Sequence, residues 1–188
     1  MKIFGIDPGS DRTGYGCVEA VGSRHRLIVS GAISTASAVS FPEKLLQIHL
    51  GLAAVIAECR PDCVAIENLF YATNARSALR LGHARGVAML AAVEAGLEVA
   101  EYTPAEIKRA VVGYGRAEKP QVQQMIKLLL GLAEIPTPHD AADALAVAIC
   151  HSHVIAPGSP RQAAVAAATP RAKSVKTAAN WRSYRPAR

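Results

Sequence analysis

The last 34 residues of the chain contain no acid. From Ile155 to Arg188 there are seven Lys and Arg and no Asp or Glu. Removing those seven from the total of 21 leaves 14 basic residues against 15 acidic ones in Met1–Val154, so the formal charge of +6 is a property of the tail and the remainder is near neutral at −1. Residues 155–188 are therefore expected to form a solvated, disordered basic extension able to touch a polyanion, and residues 1–154 to form the folded domain. No apolar stretch approaches the roughly 20 uncharged residues that a membrane span requires, so no membrane partner is expected. A basic, apolar, then small-residue export pattern is missing from the N-terminus. Cysteine is also scarce: Cys17, Cys59, Cys63 and Cys150 are expected as reduced thiols of a cytoplasmic protein. The spacings in "CRPDC" and "CHSH" are not those of a zinc finger, and no internal repeat recurs at a fixed period.

Hydrophobic residues, by contrast, are abundant at 51%, enough for one globular domain with a sizeable core. Strands are expected at Lys2–Ile6, Tyr15–Val21 and Leu27–Ile33, joined by short Gly- and Ser-containing turns as an antiparallel meander. "SFPEKLLQIHLGLAAVIAECRPD" pairs Ser40 with Glu43 as a capping box and stops at Pro61, which predicts a helix. "CVAIEN" fits a buried parallel strand. A long helix over Asn74–Ala95, a strand "LEVAEY", and a second capping box at Thr103 and Glu106 follow. "GYGRAEK" leads into a helix reaching about Leu132, and "DAADALAVAICHSHV" forms the last helix. The order implies an α/β fold with a mixed sheet, the meander at one side and parallel strands added through helical crossovers.

The acids carry the chemistry. Asp7 and Glu67 each end a strand expected to be central, at the carboxyl edge of the sheet where ligands bind in open α/β folds. Like charges brought together there are costly without a cation between them. Asp140 and Asp143 stand three residues apart at the start of the last helix and share nearly one face. Alone, that pair fits simple helix capping; together with Asp7 and Glu67 it fits a metal site. Four carboxylates without a Cys or His set suit Mg²⁺, with Mn²⁺ as a plausible substitute, and not Zn²⁺. Clusters of this type hold two ions for phosphoryl transfer. Pro8, Gly9, Gly14 and Gly16 would then keep side chains clear for an approaching phosphodiester. Arg76, Arg80 and His83 form one strip of the long helix, open to phosphate contact or to plain solvation. Small apolar residues on another strip, Leu81, Ala84, Ala88, Ala91 and Ala92, either cover the sheet or form an interface between copies.

Five segments in order, "FGIDPGSDRTGYG", "AIENLF", "NARSALRLGHARG", "YTPAEIKRAVVGYGRAEKPQVQ" and "HDAADALAVAICH", resemble the RuvC family of crossover junction endodeoxyribonucleases, within the RNase H-like nucleases. The resemblance covers Met1–His153. It implies a mixed five-stranded sheet flanked by helices. It also implies a homodimer that binds four-way Holliday junction DNA and nicks two opposed strands of like polarity with Mg²⁺, alongside a junction-migrating helicase complex. Asp7, Glu67, Asp140 and Asp143 fall on the four catalytic positions of the family. By the same correspondence Lys108 and Lys119 match basic residues near the scissile strand, and Phe70 an aromatic that helps open the junction. From the residues alone, Lys108 fits a helix-surface lysine better. Rival classes remain distinct in kind. "DPGSDRTG" is also similar to the phosphate loop of actin-like ATPases, which require two lobes. A non-catalytic junction binder would not need all four acids. A related nuclease acting on RNA or other DNA would use the same metals.

Overall fold

A computed structural model describes residues 1–68 and 74–156. The strands are β1 (Lys2–Asp7), β2 (Arg12–Val21), β3 (Arg24–Ser34), β4 (Cys63–Glu67) and β5 (Val99–Tyr102). The helices are α1 (Phe41–Cys59), α2 (Ala75–Glu94), α3 (Pro104–Val112), α4 (Lys119–Leu129) and α5 (His139–Ile155). One five-stranded sheet has the order β3-β2-β1-β4-β5. The β1–β2 and β2–β3 pairs are antiparallel, whereas β4 pairs parallel with both β1 and β5. This is the mixed sheet that the element order implies.

Local chemistry explains the boundaries. The backbone N–H of Ser40 donates to Glu43 Oε2 at 2.8 Å, and that of Thr103 to Glu106 Oε2 at 2.9 Å, so both capping boxes start the helices where the sequence places them. Asn74 caps α2 by accepting from the Ser77 N–H at 2.9 Å. The strand pair β2–β3 is longer than its apolar runs, because antiparallel backbone pairing extends from Val21↔Arg24 at the turn to Arg12↔Ser34 at the far end. Arg26 and Glu19 close a 2.7 Å ion pair across it. At its other extreme α4 ends three residues before the expected Leu132. Gly131 turns left-handed (φ 62°), and the Leu132 N–H reaches back to the Lys127 carbonyl at 2.9 Å, closing the helix.

Each face of the sheet is covered. Ile3, Val18 and Ala65 pack with Ile107, Val111, Val122, Ile126, Leu145 and Ile149 beneath α3, α4 and α5. Phe4, Cys17, Val64 and Ile66 pack with Ile48, Leu52, Ala84, Ala88, Ala91 and Ala92 beneath α1 and α2. The small residues of α2 are therefore core: Ala84, Ala88 and Ala92 are wholly buried against the sheet. Of the two readings open for them, covering the sheet holds and the interface between copies does not, since a helix lying flat on a sheet uses its small residues to come close. Leu81 is half-buried at the edge of the same helix.

A correction concerns the glycines. A Cβ at Gly14 would lie 2.0 Å from the Asp140 carbonyl oxygen, and one at Gly16 would lie 2.6 Å from a methyl of Leu145. Gly5 is equally confined, with a Cβ 2.0 Å from the Ala144 carbonyl oxygen and 2.8 Å from the Ala148 nitrogen. These positions make room for α5, not for DNA. At Gly9 the obstacle is the Arg12 carbonyl oxygen, 2.2 Å away, so that glycine serves the turn itself. Among the described residues no helix is long and apolar enough to cross a membrane. The expected basic tail lies outside the described residues from 157 onward.

Gly5→Ala should force α5 away from β1, because neither clashing backbone atom can rotate aside. Overpacking of this kind costs about 1–3 kcal/mol or more, which lowers the thermal midpoint by about 2–4 °C per kcal/mol in a chain of this size. An unchanged melting curve would contradict the close contact.

Candidate active site

Strand alternation decides which way the acids face. Ile3, Gly5 and Asp7 share one side of β1, and Cys63, Ala65 and Glu67 share one side of β4. Ile3 and Ala65 belong to the core under α5, so Asp7 and Glu67 point to that side as well. The parallel register pairs Ile6 with Ile66, which sets Asp7 beside Glu67 at adjoining strand ends. From above, the first turns of α5 supply Asp140 and Asp143, brought to the same place by the glycine contacts. Asp7, Glu67 and Asp143 line a cleft of about 390 Å³ together with Pro104, Ile107, Lys108, Lys119 and Val122. Asp140 lies one turn earlier, against Arg12.

The electrostatics of this cleft are those of acids short of positive charge. Burial, then the neighbouring Glu67 carboxylate, pushes the Asp7 carboxyl up from its ordinary 3.8 to about 9, with Asp143 and Asp140 adding to the effect. Asp7 thus keeps a proton and donates it to Glu67, whose own pKa is raised chiefly by burial. The Lys119 ammonium sits 2.5 Å from Asp143 Oδ2; burial works to lower its pKa, but the Asp143 carboxylate prevails and raises it. Arg12 Nη1 stands 3.5 Å from Asp140 Oδ2. Every acid of the set is thereby engaged by a proton or by a cation of the chain. Accordingly, among the described residues no three His, Cys, Asp or Glu side chains are gathered, as they stand, closely enough to cage an ion. The fit to a divalent cation is one of donor chemistry: oxygens only, half-buried, and drawing Arg12 and Lys119 to them.

Other candidate residues are placed elsewhere. Arg76 and Arg80 are exposed on the first turns of α2. Arg80 lies over the Phe41 ring at 4.9 Å, and its charge helps to lower the pKa of Asp11. The Lys44 amine, largely buried, pairs with Asp11 and has the larger part in that lowering. These groups frame the β1–β2 turn and do not line the acidic cleft. Phe70 lies outside the described residues. Arg12 escaped the sequence reading, for its partner Asp140 is 128 positions away; its place directly after a glycine turn at a strand end was the available signal.

The sequence profile described as "Crossover junction endodeoxyribonuclease RuvC" matches residues 3–151. This chain belongs to the RuvC family. A curated relative of that name from Syntrophotalea carbinolica is 58% identical over 153 residues, covering 81% of this chain and 94% of its own. Another from Trichlorobacter lovleyi is 52% identical over 188 residues and spans 99% of this chain and all of its own, tail included. Among solved structures, Thermus thermophilus RuvC in complex with Holliday junction substrate superposes with a TM-score of 0.80 at 35% identity, covering 87% of this chain and 96% of that one. This RuvC family member accordingly has the RNase H-like fold and hydrolyses phosphodiester bonds as an endodeoxyribonuclease.

Burial of Asp7 has a consequence for stability. Its folded pKa lies above the unfolded one, so its stabilising contribution is complete below about pH 4 and is lost as pH rises toward about 9. Asp7→Asn removes that loss. Without divalent ions the variant should melt above the parent, by about 2–4 °C for each kcal/mol relieved, and the difference should widen from pH 5 to pH 9. A variant melting at or below the parent throughout this range would refute the assignment.

Proposed function

We propose that this chain resolves four-way Holliday junctions, nicking two opposed strands of like polarity so that the ends can be sealed. The observation that carries the reading is the meeting of Asp7, Glu67 and Asp143 with Lys108 and Lys119 in one cleft at the carboxyl edge of the sheet, in a chain whose structural relative is described with junction substrate. Asp7, Glu67, Asp143 and Asp140 are the residues that would hold Mg²⁺, or Mn²⁺ in its place, as a pair of ions. When bound, such ions supply activated water and neutralise charge on the leaving oxygen of an in-line displacement.

The chain's own groups perform the rest. With its proton given up to solvent water, Asp7 would hold an ion beside Glu67. Lys119 and Lys108 stand on the α3–α4 side of the cleft, where their ammonium groups face a phosphodiester and balance the charge it gathers. Ile107, Val122 and Val147 form the apolar floor that keeps bulk water from diluting these interactions. Arg76 and Arg80, outside the cleft, are assigned to the strand that leads toward it, and Phe70 to opening the junction. A junction-migrating helicase complex is the further partner assigned to this activity.

With Mg²⁺, a four-way junction should be cut in preference to a duplex or an RNA hairpin of matched sequence, and chelation should abolish cutting. Asp7→Asn should reduce the rate by roughly 10²–10³-fold or more while junction binding changes little. Equal cutting of the duplex or the hairpin, or retained cutting by the variant, would overturn the proposal.

Two equivalent nicks ask for two equivalent sites, and a homodimer supplies them. The face of α2 turned away from the core suits a second copy. Leu79, Leu90 and Val93 are exposed there. A hollow of about 460 Å³ runs along Ala78, Leu79, Gly82, His83, Gly86, Val87 and Leu90. Gly82 and Gly86 have nothing within 4 Å of an added Cβ, leaving space for a partner helix. Leu90→Glu should convert a dimer to a monomer in sedimentation and separate the two nicks in time; a variant that stays dimeric would exclude this face.

A further inference from the structure

Arg12 belongs to none of the roles assigned above, yet it is the cation in contact with Asp140. Its backbone is held from two sides. The neighbouring Thr13 is wholly buried, and its hydroxyl donates to the Gly9 carbonyl at 2.8 Å, which closes the turn over the Arg12 carbonyl. Two residues on, Gly14 lies against the backbone of Asp140 itself. The strand end that presents Arg12 therefore cannot drift relative to the first turn of α5. Its side chain, in contrast, is loosely held. The contact with Asp140 is single and long at 3.5 Å, where a charge-assisted bond is commonly about 2.7–2.9 Å. The Arg12 side chain is 53% exposed, against 29% for Asp140. A guanidinium offers five N–H donors in a planar fork that matches phosphate, and one of its nitrogens is occupied here.

The geometry points to Arg12 as a positioning residue with two partners used in turn: it neutralises Asp140 while the acids hold no divalent ion, and it grips a DNA phosphate beside the cleft once an ion takes Asp140. The inference rests on the carboxylate site proposed above. Lys119 and Asp143 form a shorter pair on the other side of the cleft, 2.5 Å against 3.5 Å, so Arg12 is the more readily released of the two cations. No bond is made or broken; one ion pair is exchanged for another.

The test compares the parent chain with Arg12→Ala, and with Arg24→Ala as a control of equal charge at the opposite end of the β2–β3 pair. Thermal melting first establishes that all three fold. Calorimetric titration of Mn²⁺ into the DNA-free proteins should show Arg12→Ala binding about two- to fivefold more tightly, the range that loss of one exposed competing ion pair allows. Four-way junction binding, measured by fluorescence anisotropy in Ca²⁺ over a range of salt, should weaken. The slope of log affinity against log salt should fall by about one, as for a single lost phosphate contact. Arg24→Ala should match the parent in Mn²⁺ affinity. An unchanged Mn²⁺ affinity in Arg12→Ala overturns the pairing with Asp140, and an unchanged salt slope overturns the phosphate contact; either result ends the inference. If the parent chain itself bound neither Mn²⁺ nor junction, the site reading would fall and Arg12's role with it, whereas normal binding by the parent with no change in Arg12→Ala removes Arg12's role alone.

Discussion

The close approach of α5 to the sheet is the constraint on which the site depends. Gly5, Gly14 and Gly16 leave no side chain between the strands and the helix, while Ala141, Ala144 and Ala148 leave almost none on the helix side. Backbone can then approach backbone, and α5 rests where Ala144 and Asp140 carbonyls lie over β1 and β2. Because Asp140 and Asp143 sit in the first turns of that helix, the same contact that seals the core delivers two acids to the ends of β1 and β4. Packing and chemistry share one seam.

That delivery creates a region of the protein that is destabilised for use. Asp7 and Glu67 are half-buried side by side, with Asp143 across from them, and a folded chain in water tolerates this by retaining a proton and by recruiting Lys119 and Arg12. A site that gathers internal cations in this way is prepared for external ones, because each internal partner is a monovalent group that a divalent ion can displace. A divalent ion would thus be drawn by an excess of negative charge and not by a finished cage.

The long helix α2 divides its labour by face. Its alanines descend into the core beneath α1 and the sheet, and Leu79, Leu90 and Val93 stand on the surface beside two glycines that leave space. At its N-terminal end Arg80 rests on Phe41 and reaches toward the turn that follows β1. One element therefore supports the core, leaves an apolar face uncovered, and carries a basic group toward the β1–β2 turn.

Much of this was legible in one dimension. Capping boxes at Ser40 and Thr103, the strand ends that carry Asp7 and Glu67, and the three-residue spacing of Asp140 and Asp143 all follow from local pattern, which neighbours in sequence express by themselves. The purpose of the glycines, the burial of the α2 alanines, and the pairing of Arg12 with Asp140 across 128 positions did not follow. Each depends on how distant elements stack, and a stretch of sequence records its own periodicity but not the identity of the surface laid against it.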